Sequence, residues 1–141
     1  MDYFFVSEDE FARLARTGGL LEWAEVFAHR YGTPVRAVQQ ALEAGRDVVL
    51  EIDVQGAHQV RERIPSAVLI LLTPPTMEEL ERRLRSRATE DEEDLARRLE
   101  KVEWELQQRS WFDHVVVNDD VERATDEVVA ILQGLPVTTE G

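Results

Sequence analysis

Three groups of side chains in this 141-residue sequence have types and spacings that could do chemistry. The first is Glu51 and Asp53, in the stretch Asp47–Gly56, DVVLEIDVQG. On an extended strand these two carboxylates share a face, roughly 7 Å apart at strand rise. There they could hold water or a cation, and a single strand-end carboxylate suits magnesium, which keeps most of its waters. The second is Glu22 beside Trp23, followed by Tyr31 and Thr33. A fixed carboxylate only accepts, so it can take the N1–H and exocyclic N–H of guanine and offers adenine nothing equivalent. Tyrosine and threonine hydroxyls can hold a phosphate or a carbonyl. The third is Arg82, Arg83, Arg85 and Arg87, then Arg97 and Arg98, flanking the acidic stretch Glu90–Asp94. Arginines on a closing lid could spread positive charge over a phosphoryl group in transfer.

Each group also has a plainer reading. Glu51 and Asp53 fit the polar face of a half-solvated edge strand. Glu22 fits an exposed strand face, and Thr33 an ordinary helix cap. The arginines fit a solvated helix face with i,i+4 pairs to Glu78, Glu79 and Glu93.

The elements that must position these groups follow from periodicity and punctuation. Tyr3–Val6 reads as a short aromatic strand. Ser7 with Glu10 has capping-box spacing and opens a helix through Arg16, closed by Gly18 and Gly19. Leu20–Ala28 reads as a strand in which Leu21 and Trp23 alternate with Glu22 and Ala24. Tyr31-Gly32-Thr33-Pro34 reads as a turn into a second helix with Val35, Val38, Ala41 and Leu42 on one stripe, ending at Gly45. Then comes the Asp47–Val54 strand, apolar on both faces at its start like a central parallel strand, and Gly56, where the chain turns away. A short helix over Ala57–Arg63 precedes a buried strand at Ala67–Thr73. Thr76 and Glu79 open a helix with Met77, Leu80 and Leu84 inward. A long helix carrying Leu95, Leu99, Val102 and Leu106 follows the acidic stretch. His114–Val117 is a third buried strand, and Val121–Gln133 the last helix. From Thr33 onward this alternation predicts a parallel sheet with helical crossovers.

Composition sets the outer bounds. The chain is sized for one domain of ordinary dimensions. No apolar run approaches membrane-spanning length. Zero cysteines exclude disulfides and thiol catalysis and point to the cytoplasm. His29, His58 and His114 lack ligand spacing. A net charge of −13, from 16 basic and 29 acidic side chains, opposes binding to nucleic acid and to anionic membranes. A local cationic pocket for a small phosphate ligand is compatible with it. Lys101 is the one lysine, and arginine's planar fork suits phosphate.

YFFVS, LLEWAEV, YGTP, VLEIDVQGA, ILLTPP, RLRSRATEDEEDLARRL and VVVNDD stand in the order and at the spacings of the guanylate kinases, and the chain resembles that family over about residues 2–134. The resemblance implies a P-loop-kinase-like α/β fold, a parallel sheet flanked by helices. Residues 1–33 would be part of a GMP-binding subdomain and 34–141 the core, with a lid at about 84–101. It implies that Glu22 and Thr33 read the guanine of GMP, that Tyr3 and Tyr31 hold its phosphate, and that Glu51 stands nearby. Asp53 would organise Mg2+ through water. Arg87 and Arg98, with Arg83, would neutralise the transferring phosphates, and Arg83 and Asn118 would serve ATP. Ala88 stands where the family usually has glycine, which would stiffen the lid.

The family opens with a strand and a phosphate loop of the form G-x-x-x-x-G-K-[ST], and these 141 residues contain no such sequence. The expectation is therefore a guanylate kinase-like chain lacking that segment. The family's reaction, ATP and GMP to ADP and GDP, would be inherited and the chain inactive alone. The alternative is a non-catalytic guanylate kinase-like module that binds a protein through the old GMP surface. Glu22, Tyr31, Asp53, Arg87 and Arg98 all stand and no companion domain is present, which favours the enzyme lineage. Oligomeric state is not legible.

Overall fold

Local signals set most of the helices. Ser7 caps the first by accepting from the Glu10 N–H at 3.1 Å, and left-handed Gly18 ends it, so α1 spans Glu8–Thr17. Such a cap is worth about 1 kcal/mol. The computed structural model describes residues 5–86 and 91–134. The strand expected at Tyr3–Val6 lies partly outside them.

The chain divides into two compact units, Met1–Ala67 and Val68–Gly141. In the first, β1 (Leu20–Val26) and β2 (His29–Pro34) form an antiparallel hairpin, followed by α2 (Val35–Glu43) and α3 (Val54–Arg63). Its core is Leu21, Val38 and Val60, with Val35, Val48, Leu50, Ile52, Ile64 and Ala67 packed against them. Leu42, expected on the buried stripe of α2, is exposed.

Two expectations in this unit are corrected. The segment 31–34, expected as a turn, lies inside β2, because the chain reverses earlier, at Phe27 and Ala28. Pro34 rather than Thr33 occupies the N-cap of α2, and it makes no side-chain capping bond. The stretch 47–53 joins no ladder among the described residues, so the expected central strand is not formed. A strand is defined by its partner, and none is paired with it here. The period of two survives nonetheless: Val48, Leu50 and Ile52 pack on the core while Val49 is 67% exposed.

In the second unit β3 (Ile70–Thr73) and β4 (His114–Val117) pair in parallel, with Ile70 opposite His114 and Thr73 opposite Val117. Between them run α4 (Met77–Ser86) and α5 (Glu92–Gln107), and α6 (Val121–Leu132) follows β4. This is the parallel pair with a helical crossover that the alternation predicts, and the fold is α/β. Thr76 caps α4 by accepting from the Glu79 N–H at 3.0 Å. Val116, Ala124 and Ile131 form the core, with Ile70 and Val128 against them. Leu72, expected under a helix, is exposed, while its neighbours Leu71 and Thr73 on the opposite face are buried.

Candidate functional site

The site in the first unit is built across the hairpin. Leu20 pairs with Pro34 and Glu22 with Thr33, so β1 carries an extra residue at Leu21. That bulge re-aims the strand. Leu21 and Glu22 are both buried, whereas Trp23, expected inward, is 38% exposed and meets Phe11 edge to face. Glu22, which a plain alternation puts on the solvent side, is only 4% exposed.

Thr33 Oγ1 donates to Glu22 Oε1 at 2.6 Å, so the threonine serves a carboxylate rather than a helix end. The other carboxylate oxygen lies over the first turn of α3, at Gly56. A Cβ there would stand 2.3 Å from Glu22 Oε2. Gly56 is therefore needed for space, inside a helix, and not for a turn beyond a strand. Asp53 caps α3 by accepting from the Gln55 N–H at 2.9 Å and adds negative charge near Glu22. Burial pushes the Glu22 carboxyl above the ordinary carboxylate range. The Thr33 hydrogen bond opposes that push, and the Asp53 charge reinforces it.

No lysine or arginine stands within salt-bridge distance of Glu22 among the described residues. A buried carboxylate without a cation is costly, and it is an acceptor suited to paired N–H donors. Tyr31 sits on β2 opposite Ala24, 46% exposed, with its ring 6.4 Å from that of His29. Glu51 is exposed. Of the expected residues in this unit, Glu22, Thr33 and Asp53 come together, and Glu51 points away from the core side. Tyr3 lies outside the described residues.

The second unit holds the other group. Arg83 on α4 and Asn118 just past β4 line one cleft of about 230 Å3, with Thr73, Pro74, Leu80, Val102 and others. Arg83 donates to the Asn118 carbonyl at 3.5 Å, and the Asn118 N–H to the Thr73 carbonyl at 2.8 Å. The expected pair is thus juxtaposed. Its neighbours pair with acids: Arg82 and Arg83 with Glu79, Arg85 with Glu81 and Glu92, Arg97 with Asp94. Of the acids expected as partners, Glu79 is paired, with Arg82 and Arg83. Arg98 is half-buried on α5. Arg87 and Ala88 lie outside the described residues, as does part of the stretch expected to act as a lid. Among the described residues no group of three or more acidic or histidine side chains could hold a metal, and no helix is long and apolar enough to cross a membrane.

Sequence reasoning missed Gly56 as a neighbour of Glu22, and missed α3 as the element that backs it. The glycine inside a helical run was the available signal.

The guanylate kinase family model matches residues 1–135. A guanylate kinase of Caldanaerobacter subterraneus subsp. tengcongensis is 48% identical over 131 residues, which is 93% of this chain and 64% of that protein. One from Thermus thermophilus is 49% identical over 132 residues, 94% of this chain and 60% of that protein. The crystal structure of guanylate kinase from Anaplasma phagocytophilum aligns with a TM-score of 0.77 at 35% identity, covering 94% of this chain and 64% of that one. The chain thus spans somewhat under two thirds of the length of these relatives. The match runs through every element that builds the two sites described above, and the chain belongs to the guanylate kinase family.

Proposed function

We propose that the first unit binds the guanine of GMP, with Glu22 and Thr33 as the base-reading groups and Tyr31 and Tyr3 toward its phosphate. The cleft of the second unit takes the ATP side through Arg83 and Asn118, and Arg87 and Arg98 serve the phosphates. The reaction this equips is the family's own, phosphoryl transfer from ATP to GMP in the cytoplasm. Asp53, fixed by its capping bond at the start of α3, would hold Mg2+ through water. Bound there, the ion would supply positive charge to the phosphates.

The observation that carries this reading is Glu22: buried, hydrogen-bonded by a threonine hydroxyl, and without a cation partner among the described residues. Guanine presents two adjacent N–H donors to such an acceptor, and adenine presents none in the same place. Replacing Glu22 by Gln turns one acceptor oxygen into a donor facing those N–H groups. The preference for GMP over AMP, measured by calorimetry, should fall by about 1–3 kcal/mol. An unchanged preference would remove Glu22 from the base site.

A further inference from the structure

Helix α3 does more than pack on the hairpin. One edge of β1 is paired with β2, so the main-chain groups on its other edge need partners from elsewhere. Side chains of α3 provide them. The Trp23 N–H donates to Gln59 Oε1 at 2.9 Å, and Gln59 Nε2 donates to the Trp23 carbonyl at 2.6 Å. Arg63 donates to the carbonyls of Leu20 and Leu21, the latter at 3.1 Å. Gly56, Gln59 and Arg63 are spaced i, i+3 and i+7, which puts them on one face of the helix. A primary amide carries an N–H donor and a carbonyl acceptor side by side, so it can meet the N–H and C=O that one strand residue turns to the same edge. Gln59 therefore acts as a single rung of a strand that is not there. The main-chain N–H and C=O it grips are those of Trp23, the residue after Glu22, and one turn earlier on the same face Gly56 makes room for the Glu22 carboxylate.

We propose that Gln59 is a positioning residue for base recognition: its two hydrogen bonds to Trp23 fix the β1 main chain and thereby set where the Glu22 carboxylate stands. This rests on the guanine reading above. A carboxylate that must meet two N–H donors at once is sensitive to displacement, whereas contacts to a shared ribose and phosphate are not. Loss of Gln59 should thus move discrimination more than affinity in general.

The test uses the whole chain with Gln59→Met, which keeps the bulk and removes both hydrogen bonds. Gln59→Asn is the milder second variant, being one methylene too short to reach both Trp23 groups. GMP and AMP affinities are measured by calorimetry, together with the Glu22 carboxyl carbon resonance and the exchange rate of the Trp23 amide. The expected result for Gln59→Met is a fall of about tenfold in the GMP-over-AMP ratio, a shifted Glu22 resonance and faster Trp23 exchange. Gln59→Asn should show the same changes to a smaller extent, and it carries the test if Gln59→Met does not fold. A merely structural residue would lower the melting temperature, or both affinities together, and leave the ratio alone. An unchanged ratio with an unchanged Glu22 resonance overturns the proposal. If the unsubstituted chain shows no preference for GMP, the guanine reading fails by itself. The Glu22 resonance and Trp23 exchange then still decide whether Gln59 holds Glu22 in place.

Discussion

The two units handle charge in opposite ways. In the first, one carboxylate is buried, is served by a neutral hydroxyl, and is held by a bulged strand, a glycine and the capped end of α3. In the second, arginines lie on helix surfaces and meet nearby acids, with Arg82 70%, Arg85 50% and Arg97 62% exposed in their side chains. The buried group carries a standing cost and is fixed in place, which suits recognition of one hydrogen-bond pattern. The exposed pairs are worth little each and are readily exchanged for another anion, which suits phosphates that arrive and leave. A base is read by geometry, and a phosphate is met by charge.

These 141 residues contain no phosphate-loop sequence to cradle the β- and γ-phosphates, and this gives the largest expected effect. Phosphoryl transfer needs backbone N–H groups and a lysine around those phosphates. The sequence holds no G-K-[ST] context, and its one lysine, Lys101, is paired with Glu105 at 2.9 Å within α5. Electrostatic stabilisation of this kind is worth several kcal/mol, so its lack costs at least about a thousandfold in rate. Residues 1–141 alone should give no detectable GDP from GMP and ATP in a coupled ADP-release assay, while GMP binding persists. Turnover that disappears in Asp53→Asn would mean that the arginines of the second unit can replace the loop.

The buried carboxylate also predicts opposite pH trends for stability and for binding. Glu22 holds its proton more tightly when folded than when unfolded, because burial raises its pKa. Its contribution to stability is therefore full below the ordinary carboxylate range and is lost as pH rises through the raised native value. Guanine needs both oxygens as acceptors, so GMP affinity should fall as pH is lowered through that same value. Glu22→Gln removes the charge and should raise neutral-pH stability by on the order of 1 kcal/mol while erasing the pH dependence of GMP affinity. If the substitution instead destabilises at neutral pH, the Glu22 charge has a partner that offsets its burial, and the contrast between the units weakens.

How far the sequence could be read differs between the same two regions. The helix caps at Ser7 and Thr76 follow from local signals, and the parallel pairing of Ile70–Thr73 with His114–Val117 from the alternation of elements. Arg83 and Asn118, by contrast, are linked in the sequence only through the family resemblance. The hairpin did not show itself, because its reversal uses Phe27 and Ala28, at φ of 49° and 70°, where Asn or Gly would be the usual signal. That error displaced β2 and turned Thr33 into a cap, while the bulge at Leu21 is what moved Glu22 off the solvent side of its strand. The bulge at Leu21 depends on the pairing of β1 with β2, and the Gln59 rung on a contact 36 residues apart, neither of which a local pattern encodes. The strained reversal is itself testable. Ala28→Gly should stabilise the first unit by about 0.5–1 kcal/mol, read from denaturant midpoints, because glycine adopts positive φ without strain. A loss of stability would mean that the Ala28 methyl makes contacts worth more than the strain.

The smallest expected effect lies in the second unit and tests its half of the contrast directly. Glu79 accepts from Arg82 at 2.5 Å and Arg83 at 3.2 Å, and both arginines are well exposed to solvent. Arg82 holds the Glu79 carboxyl below the usual carboxylate range, with Arg83 adding to the effect, but solvent screens such pairs. Glu79→Gln keeps the N–H that donates to the Thr76 cap, so the start of α4 is preserved. The melting temperature should stay essentially unchanged, at low salt and at high salt alike. Released from its acid, Arg83 should favour an anionic ligand at the Asn118 cleft, so nucleotide affinity there should rise by about twofold at low salt and not at high salt. A clear drop in melting temperature that persists at high salt would show that these helix-surface pairs are fixed structural contacts, and the division between a rigid base site and an exchangeable phosphate site would not hold.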